Sequence, residues 1–279
     1  MKRNLDKNIE NELVKSDLWN NQIKQDCINQ EIFCAIRNNQ VDFYHKGGRL
    51  FKYDSKGFKT HLKYASVIES NGKDYLTQDE LKQFKLATDF ESNYKRIKEN
   101  CSNYTGVEAL GVSEIYHRNS YLSNNNVVVL DIEVSFESLI EGNKQDRIDI
   151  LFYNTETATL QFVEAKHFSN SEIWSTKTPK VISQIERYEG QIKSRKNEIL
   201  SEFSSYVQSL NSVFKTNLPE PKEIDPKVTL LIFGFDNDQK QGRLKKLIVE
   251  NPIYKGIKSY QIGNIKQVVT QNLWNAKEL

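Results

Sequence analysis

Three β-type segments, one long helical pattern and one segment with a continuous apolar run follow each other from Val127 onwards. The β-type segments are VVVLDIEVSF from Val127, RIDILFYN from Arg147 and TLQFVEAKHF from Thr159. Short apolar runs bounded by turn residues are typical of strands, and residues 154–157 supply the turn between the last two. This order limits the chain to folds in which three strands precede a helix.

The helical pattern and the apolar segment complete the predicted core. Thr178 is a favourable N-cap residue and Pro179 follows it at the first helical position, so a helix is predicted from there to about Val213. The segment KVTLLIFGFD, from Lys227, resembles strands that are buried on both faces. A further helix over 243–249 and a last strand over 258–262 are also predicted. The predicted fold class is α/β (α+β), with a mixed sheet core flanked by helices.

The N-terminal part is predicted to be an antiparallel β-meander. Between Glu31 and Val67, four runs alternate polar and apolar residues: IFCAI, VDFYH, RLFKYD and FKTHLKYASV. Gly47, Gly48 and the segment 55–57 fall between runs, where hairpin turns need positive φ. The many aromatic and basic residues leave two interpretations open. One is a nucleic-acid-facing sheet with aromatic stacking platforms, and the other is a half-buried accessory sheet with a solvated basic face.

Two helical patterns flank this meander. The first thirty residues have a weak helical period, which predicts a helical or mobile arm. Residues 77–100 are predicted to form one helix, with Thr77 and Glu80 as a capping box. The predicted parts are an arm over 1–30, a β-meander plus helix accessory domain over 31–105, and the main domain over 106–279.

Composition argues against several classes of protein. No stretch approaches the roughly 18 consecutive apolar residues of a membrane helix, and the start lacks a signal-peptide core, so a cytoplasmic location without membrane association is expected. Cys27, Cys34 and Cys101 form no CxxC pair and no zinc-ligand spacing, so disulfide frameworks and zinc modules are not expected. The net charge of +2 does not indicate a nucleic-acid binder, so any such surface must be local.

A compact set of charged residues lies within the predicted strands. Asp149 stands between Ile148 and Ile150, so strand alternation turns its carboxylate away from both. Glu164 and Lys166 are two residues apart and therefore share one face of the next strand. Burying such charges is costly without a purpose, and metal-assisted phosphodiester hydrolysis supplies one. Asp149 and Glu164 offer the oxygen ligands that Mg²⁺ prefers, and Lys166 would orient the attacking water or stabilise developing negative charge.

These residues resemble the signature of the PD-(D/E)xK nuclease superfamily, which has an acidic residue on one strand and (D/E)xK on the next. Asp149 matches the first position, and Glu164, Ala165 and Lys166 match the second, although the proline of the motif is missing. The resemblance covers roughly residues 126–188, and residues 1–125 contain nothing that matches.

A second motif extends the resemblance. In the RecB-like branch of the superfamily, the following helix carries QxxxY, whose polar groups support the site and contact the substrate backbone. Gln184 and Tyr188 in QIERY match this motif and, four residues apart, project from the same side of the predicted helix. Family members often supply an additional upstream carboxylate, for which Glu133 is the candidate. Strand alternation places Asp131 together with Glu133.

The resemblance implies a restriction-endonuclease-like domain over 106–279 and a Mg²⁺-dependent nuclease in which Mn²⁺ can substitute. The expected partner is nucleic acid, with DNA favoured over RNA, and a homodimer is left open. A bacterial host-defence or mobile-element setting follows by analogy alone. The implied site residues are the metal ligands Asp149, Glu164 and Glu133, the water-activating Lys166, and the supporting Gln184 and Tyr188.

Less specific interpretations remain beside this one. Glu164 and Lys166 could form a surface ion pair contributing about 0.2–1 kcal/mol, and Tyr188 could be a core tyrosine with a bonded hydroxyl. The basic runs at 193–196 and 243–246 could meet phosphates or be solvated helix faces. The alternative function is a nucleic-acid-binding module of the same fold that does not cleave, or that needs a partner to do so.

Overall fold

A computed structural model describes residues 2–66, 77, 79, 85–136 and 146–279. These residues fall into two compact units. The N-terminal unit comprises Lys2–Ser113 with Ser209–Thr216, and the C-terminal unit comprises Glu114–Gln208 with Asn217–Leu279. The chain therefore divides after residue 113 rather than after residue 105, and a short later segment belongs to the N-terminal unit.

The N-terminal unit begins with helices. Helix α1 spans Lys7–Lys15, a π-helical turn spans Trp19–Ile23, and α2 spans Lys24–Ile28. Trp19 is buried, and its ring centroid lies 6.0 Å from that of Phe43 in the following sheet. Of the two alternatives predicted for the first thirty residues, the structure therefore has the helical one, packed against the sheet.

Strands β1–β4 form the predicted antiparallel meander in sequence order. Gly47 and Gly57 have the positive φ expected of turn residues, +85° and +86°. Phe33, Phe43 and Phe51 are at most 1% exposed, so the stacking-platform interpretation is wrong for these rings. The four strands span Phe33–Arg37, Gln40–His45, Gly48–Asp54 and Gly57–Lys59.

The fourth strand is shorter than predicted. After β4 the chain forms a short helix, α3, over Leu62–Ala65. The Nδ1 atom of His61 accepts a hydrogen bond from the Lys63 amide at 3.2 Å, which caps the helix and ends the extended conformation.

The helix predicted over 77–100 is not continuous. Helix α4 spans Tyr94–Asn103, whereas residues 85–93 are not helical. The carboxylate of Asp89 accepts hydrogen bonds from the amides of Glu91 and Ser92, and this local turn competes with helix formation. Glu80, the second residue of the predicted capping box, lies outside the described residues.

The strands and helices predicted over 127–213 are present, with one difference. The structure has two helices, α6 and α7, where one was predicted, because the chain leaves the helical conformation at Arg195. The elements are α5 Val107–Arg118, β5 Val127–Phe136, β6 Asp146–Asn154, β7 Thr159–His167, a 3₁₀ turn Ser171–Ile173, α6 Lys180–Ser194 and α7 Lys196–Phe214.

Three of the remaining elements were predicted: the strand in the segment from Lys227, the helix over 243–249 and the last strand. The last predicted strand, 258–262, matches β10, and the predicted helix over 243–249 is the second part of a π-helix. The elements are β8 Glu223–Ile224, β9 Thr229–Phe233, α8 Asn237–Gln239, the π-helix Lys240–Val249, 3₁₀ turns Pro252–Tyr254 and Ile265–Gln267, β10 Lys258–Ile262, α9 Thr270–Trp274 and β11 Lys277–Glu278.

The C-terminal unit is built on a mixed sheet with the strand order β11-β10-β9-β7-β6-β5, and β8 pairs with β7 beside this path. Strands β5, β6 and β7 are antiparallel neighbours, whereas β9 runs parallel to both β7 and β10. The predicted α+β class, a mixed sheet preceded by an antiparallel β-rich part, is confirmed. Strand β7 lies between two neighbours, and its interior residues are all buried.

The structure also bears on membrane-spanning helices and on the cysteines. Among the described residues, no helix is long and apolar enough to cross a membrane. All three cysteines lie in the described part of the chain, are buried and form no disulfide. Burial raises the pKa of Cys27 and Cys101, which disfavours the reactive thiolate at neutral pH.

Gly234, directly after β9, provides a test of how closely the strands approach each other. Its φ is +82°, and a Cβ atom there would overlap the Nε2 atom of His167 at the end of β7. We expect Gly234→Ala to lower the free energy of unfolding by about 2 kcal/mol, measured by urea denaturation, because of both the clash and the strained φ.

Gly190 supplies the matched control. It lies in α6, and a Cβ atom there would meet nothing within 4 Å. Gly190→Ala should raise the free energy of unfolding by about 0.5–1 kcal/mol. If Gly234→Ala were as stable as the wild type, the close packing of β9 on His167 would be incorrect.

Candidate active site

The register of β6 and β7 brings Asp149 next to the Glu-Ala-Lys segment. The two strands pair as far as Ile150 and Val163. Just beyond this pair, the amide of Ala165 donates a hydrogen bond of 2.8 Å to Oδ2 of Asp149. A side-chain oxygen thus accepts a main-chain amide of the next strand, which fixes the Asp149 carboxylate beside residues 164–166.

Glu164 and Lys166 form a buried ion pair on β7. They are 2% and 5% exposed, and Nζ of Lys166 lies 2.9 Å from Oε1 of Glu164. Their burial follows from the position of β7 between β6 and β9. The surface ion-pair interpretation is therefore wrong, and the pair carries a desolvation cost of several kcal/mol per ion that must be offset locally.

Sequence reasoning missed a third carboxylate, that of Glu172. It lies in the 3₁₀ turn after β7, and its Oε2 is 2.9 Å from Nζ of Lys166. Asn170 caps this turn by accepting a hydrogen bond from the Glu172 amide at 3.0 Å. The capping Asn170 so soon after Lys166 was the one available signal that the chain turns back over the end of β7.

Lys166 is a cation held among carboxylates. Burial alone would lower its pKa, but attraction to Glu164, hydrogen bonds with Glu172 and Glu164, and the charge of Asp149 outweigh burial and raise the pKa above its usual value. The amine is therefore protonated at neutral pH, which suits charge stabilisation better than proton abstraction.

Tyr188 and Gln184 lie on α6 with different surroundings. Tyr188 is buried, and its hydroxyl donates a hydrogen bond of 2.9 Å to the carbonyl of Arg147 at the start of β6. Gln184 lies one turn earlier on the same side of the helix. Its Oε1 is buried and accepts no hydrogen bond from any residue that the structure describes. Tyr188 thus anchors the helix, and Gln184 offers a buried oxygen acceptor.

Glu133 lies opposite Asp149 in the register of β5 and β6, but its carboxylate pairs with an arginine. It falls between the paired residues Ile132 and Val134 of β5, and its φ is +49°. Its carboxylate oxygen Oε2 lies 3.6 Å from Nη1 of Arg147. The structure therefore gives Glu133 a basic partner at the edge of the site.

Asp131 and Glu133 differ in exposure. The register between β5 and β6 shifts between Val129 and Asp131, before both residues, and Glu133 has a left-handed φ. Asp131 is fully buried, and its Oδ1 accepts a hydrogen bond from the Ile132 amide, whereas Glu133 is partly exposed.

The residues present suit Mg²⁺ better than a metal that needs many protein ligands. Among the described residues, no group of three or more His, Cys, Asp or Glu side chains could hold a metal ion. Mg²⁺ commonly binds through one or two carboxylates and keeps several waters. Asp149 and Glu164 provide two such carboxylates.

The other predicted polar residues have mainly structural surroundings. Arg195 binds both carboxylate oxygens of Glu198, and Lys196 binds Glu223, so these two basic residues are neutralised by acidic neighbours. His167 packs its ring edge-on to Phe233.

No protein-family model matches the chain, and comparisons with the curated proteins and with the solved structures found no match. Function is therefore inferred from the side chains of the site.

Tyr188→Phe tests whether the hydroxyl is structural. Loss of its hydrogen bond to the Arg147 carbonyl should lower the free energy of unfolding by about 1 kcal/mol, measured by urea denaturation. Tyr260→Phe is the matched control and should change nothing, because the Tyr260 hydroxyl makes no hydrogen bond with any described residue. Unchanged stability of Tyr188→Phe with weakened nucleic-acid binding would assign the hydroxyl to the substrate instead.

Proposed function

We propose that this chain is a Mg²⁺-dependent nuclease that hydrolyses phosphodiester bonds, with DNA favoured over RNA. The observation that carries the proposal is the buried pair of Glu164 and Lys166 beside Asp149, held on two adjacent strands. Ionisable groups gathered in this way at the end of a strand pair are costly for folding and are characteristic of functional sites.

The charge balance of the cluster favours a divalent cation. Three carboxylates, those of Asp149, Glu164 and Glu172, act on one ammonium group, that of Lys166. These four residues thus carry a formal excess of two negative charges. If the only role were to stabilise the fold, apolar residues of similar volume would serve as well or better.

Each residue has a distinct role in this proposal. Asp149 and Glu164 would hold the metal through carboxylate oxygens, and Gln184 would support the site from α6. Bound Mg²⁺ supplies polarisation of the phosphoryl group and acidification of a water molecule. The Lys166 ammonium would stabilise the negative charge that develops on the phosphoryl oxygens. Glu172 holds this ammonium group from the 3₁₀ turn after β7.

The resemblance to the PD-(D/E)xK superfamily supports the same activity. Its acidic residue and (D/E)xK segment fall on adjacent antiparallel strands, and Gln184 and Tyr188 lie on the helix that follows. Mn²⁺ should substitute for Mg²⁺. The cytoplasmic location, the homodimer and the host-defence setting stay predictions.

A non-cleaving or partner-dependent nucleic-acid-binding module is the second candidate. It is favoured by the pairing of the acidic residues with cations of the chain itself, Glu164 with Lys166 and Glu133 with Arg147. A nuclease would have to rearrange at least the first of these pairs when the metal binds.

A cleavage assay with Lys166→Ala tests the proposal. Wild-type protein should cut linear, circular or single-stranded DNA with Mg²⁺ or Mn²⁺ and not with EDTA. Lys166→Ala should lower the rate at least about a hundredfold, because charge stabilisation at the phosphoryl group is lost. Lys193→Ala, at an exposed lysine of α6, is the matched control and should cut at the wild-type rate.

The contrary outcomes are equally specific. Cutting by folded Lys166→Ala at the wild-type rate would remove the assigned site, and circular dichroism establishes that the variant is folded. Nucleic-acid binding that survives EDTA, with no cutting of DNA or RNA under either metal, would favour the binding module.

A further inference from the structure

The segment after β7 carries an indole group close to the candidate active site. Trp174 follows the 3₁₀ turn that holds Glu172, and two residues span at most about 7 Å. The Trp174 Nε1 donates a hydrogen bond of 2.8 Å to the Phe168 carbonyl, and the two rings pack edge-to-face at 4.7 Å. The indole is therefore fixed in orientation within a short distance of the carboxylate that binds Lys166.

An arginine side chain lies over this indole. The guanidinium carbon of Arg243, on the π-helix Lys240–Val249, is 4.0 Å from the centroid of the Trp174 ring. Arg243 is exposed and makes no hydrogen bond or ion pair with any residue in the described part of the chain. Stacking alone positions it, so its outer face and its N–H groups are open to a ligand.

Four lysines lie on the segments that carry Trp174 and Arg243, and unlike Arg195 and Lys196 they have no acidic partner among the described residues. They are exposed and form no ion pair with a described residue, so their charge is not compensated locally. They occupy the loop and helix start after Trp174 and the two sides of Arg243 on the π-helix. These residues are Lys177, Lys180, Lys240 and Lys246.

We propose that Trp174 and Arg243 form a stacking platform for one unpaired nucleobase of a single-stranded or locally unpaired nucleic acid. The inference rests on the proposed nuclease function and adds its substrate class. Planar guanidinium and indole groups stack on bases of any sequence, and nearby lysines bind the phosphates on either side. A base within a continuous duplex is already stacked on both faces and cannot occupy such a platform.

Binding measured by fluorescence anisotropy in EDTA separates stacking from charge. The probes are a labelled oligothymidylate, an abasic strand of equal length and a blunt duplex. Arg243→Lys keeps the charge and removes the planar face, so it should weaken oligothymidylate binding about tenfold and leave abasic-strand binding unchanged. Lys246→Ala, on the same helix, should weaken binding of both strands equally, because it removes only a charge.

Three results would overturn the platform: equal weakening of both strands by Arg243→Lys, duplex binding as tight as oligothymidylate binding, or no binding of any probe. Trp174→Leu should reproduce the Arg243→Lys pattern, and thermal unfolding establishes that each variant is folded. Metal-dependent cutting without base-dependent binding would keep the nuclease function and remove the platform. Base-dependent binding without cutting under any metal would keep the platform and remove the nuclease function.

Discussion

The hydrogen bond from the Ala165 amide to the Asp149 carboxylate sets the geometry on which the rest of the site depends. It lies just beyond the last residue pair of the β6–β7 register, Ile150 with Val163. Glu164 and Lys166 flank the same amide on β7, whose interior residues are all buried. One side-chain contact thus places an acidic residue of one strand beside an acidic and a basic residue of the next.

Because these charges are buried, polar contacts from several elements surround them. Lys166 is held by carboxylates from two directions, Glu164 along the strand and Glu172 from the capped turn beyond it. Tyr188 fixes α6 to the start of β6, which keeps Gln184 on the side of the helix that faces the sheet. The same turn that supplies Glu172 leads to Trp174, on which Arg243 stacks, so the turn connects the ionic cluster with the proposed platform.

Much of the sheet could be predicted from the sequence, because each strand over 127–168 is bounded by turn residues and β9 contains a continuous apolar run. The pairing of Asp149 with residues 164–166 followed from strand alternation. Glu172 escaped prediction because its contact depends on the path of an irregular turn, which no periodic pattern encodes. The register shift before Asp131 and the left-handed φ of Glu133 also escaped prediction, because the alternating pattern of β5 encodes neither.

The most direct test of the central claim is anomalous diffraction from crystals soaked in Mn²⁺. We expect one strong peak bridging the carboxylates of Asp149 and Glu164, absent from crystals of the Glu164→Gln variant soaked in the same way. An ordered site without a peak at saturating Mn²⁺, with Lys166 still between Glu164 and Glu172, would contradict the assignment of this cluster as a metal-dependent active site.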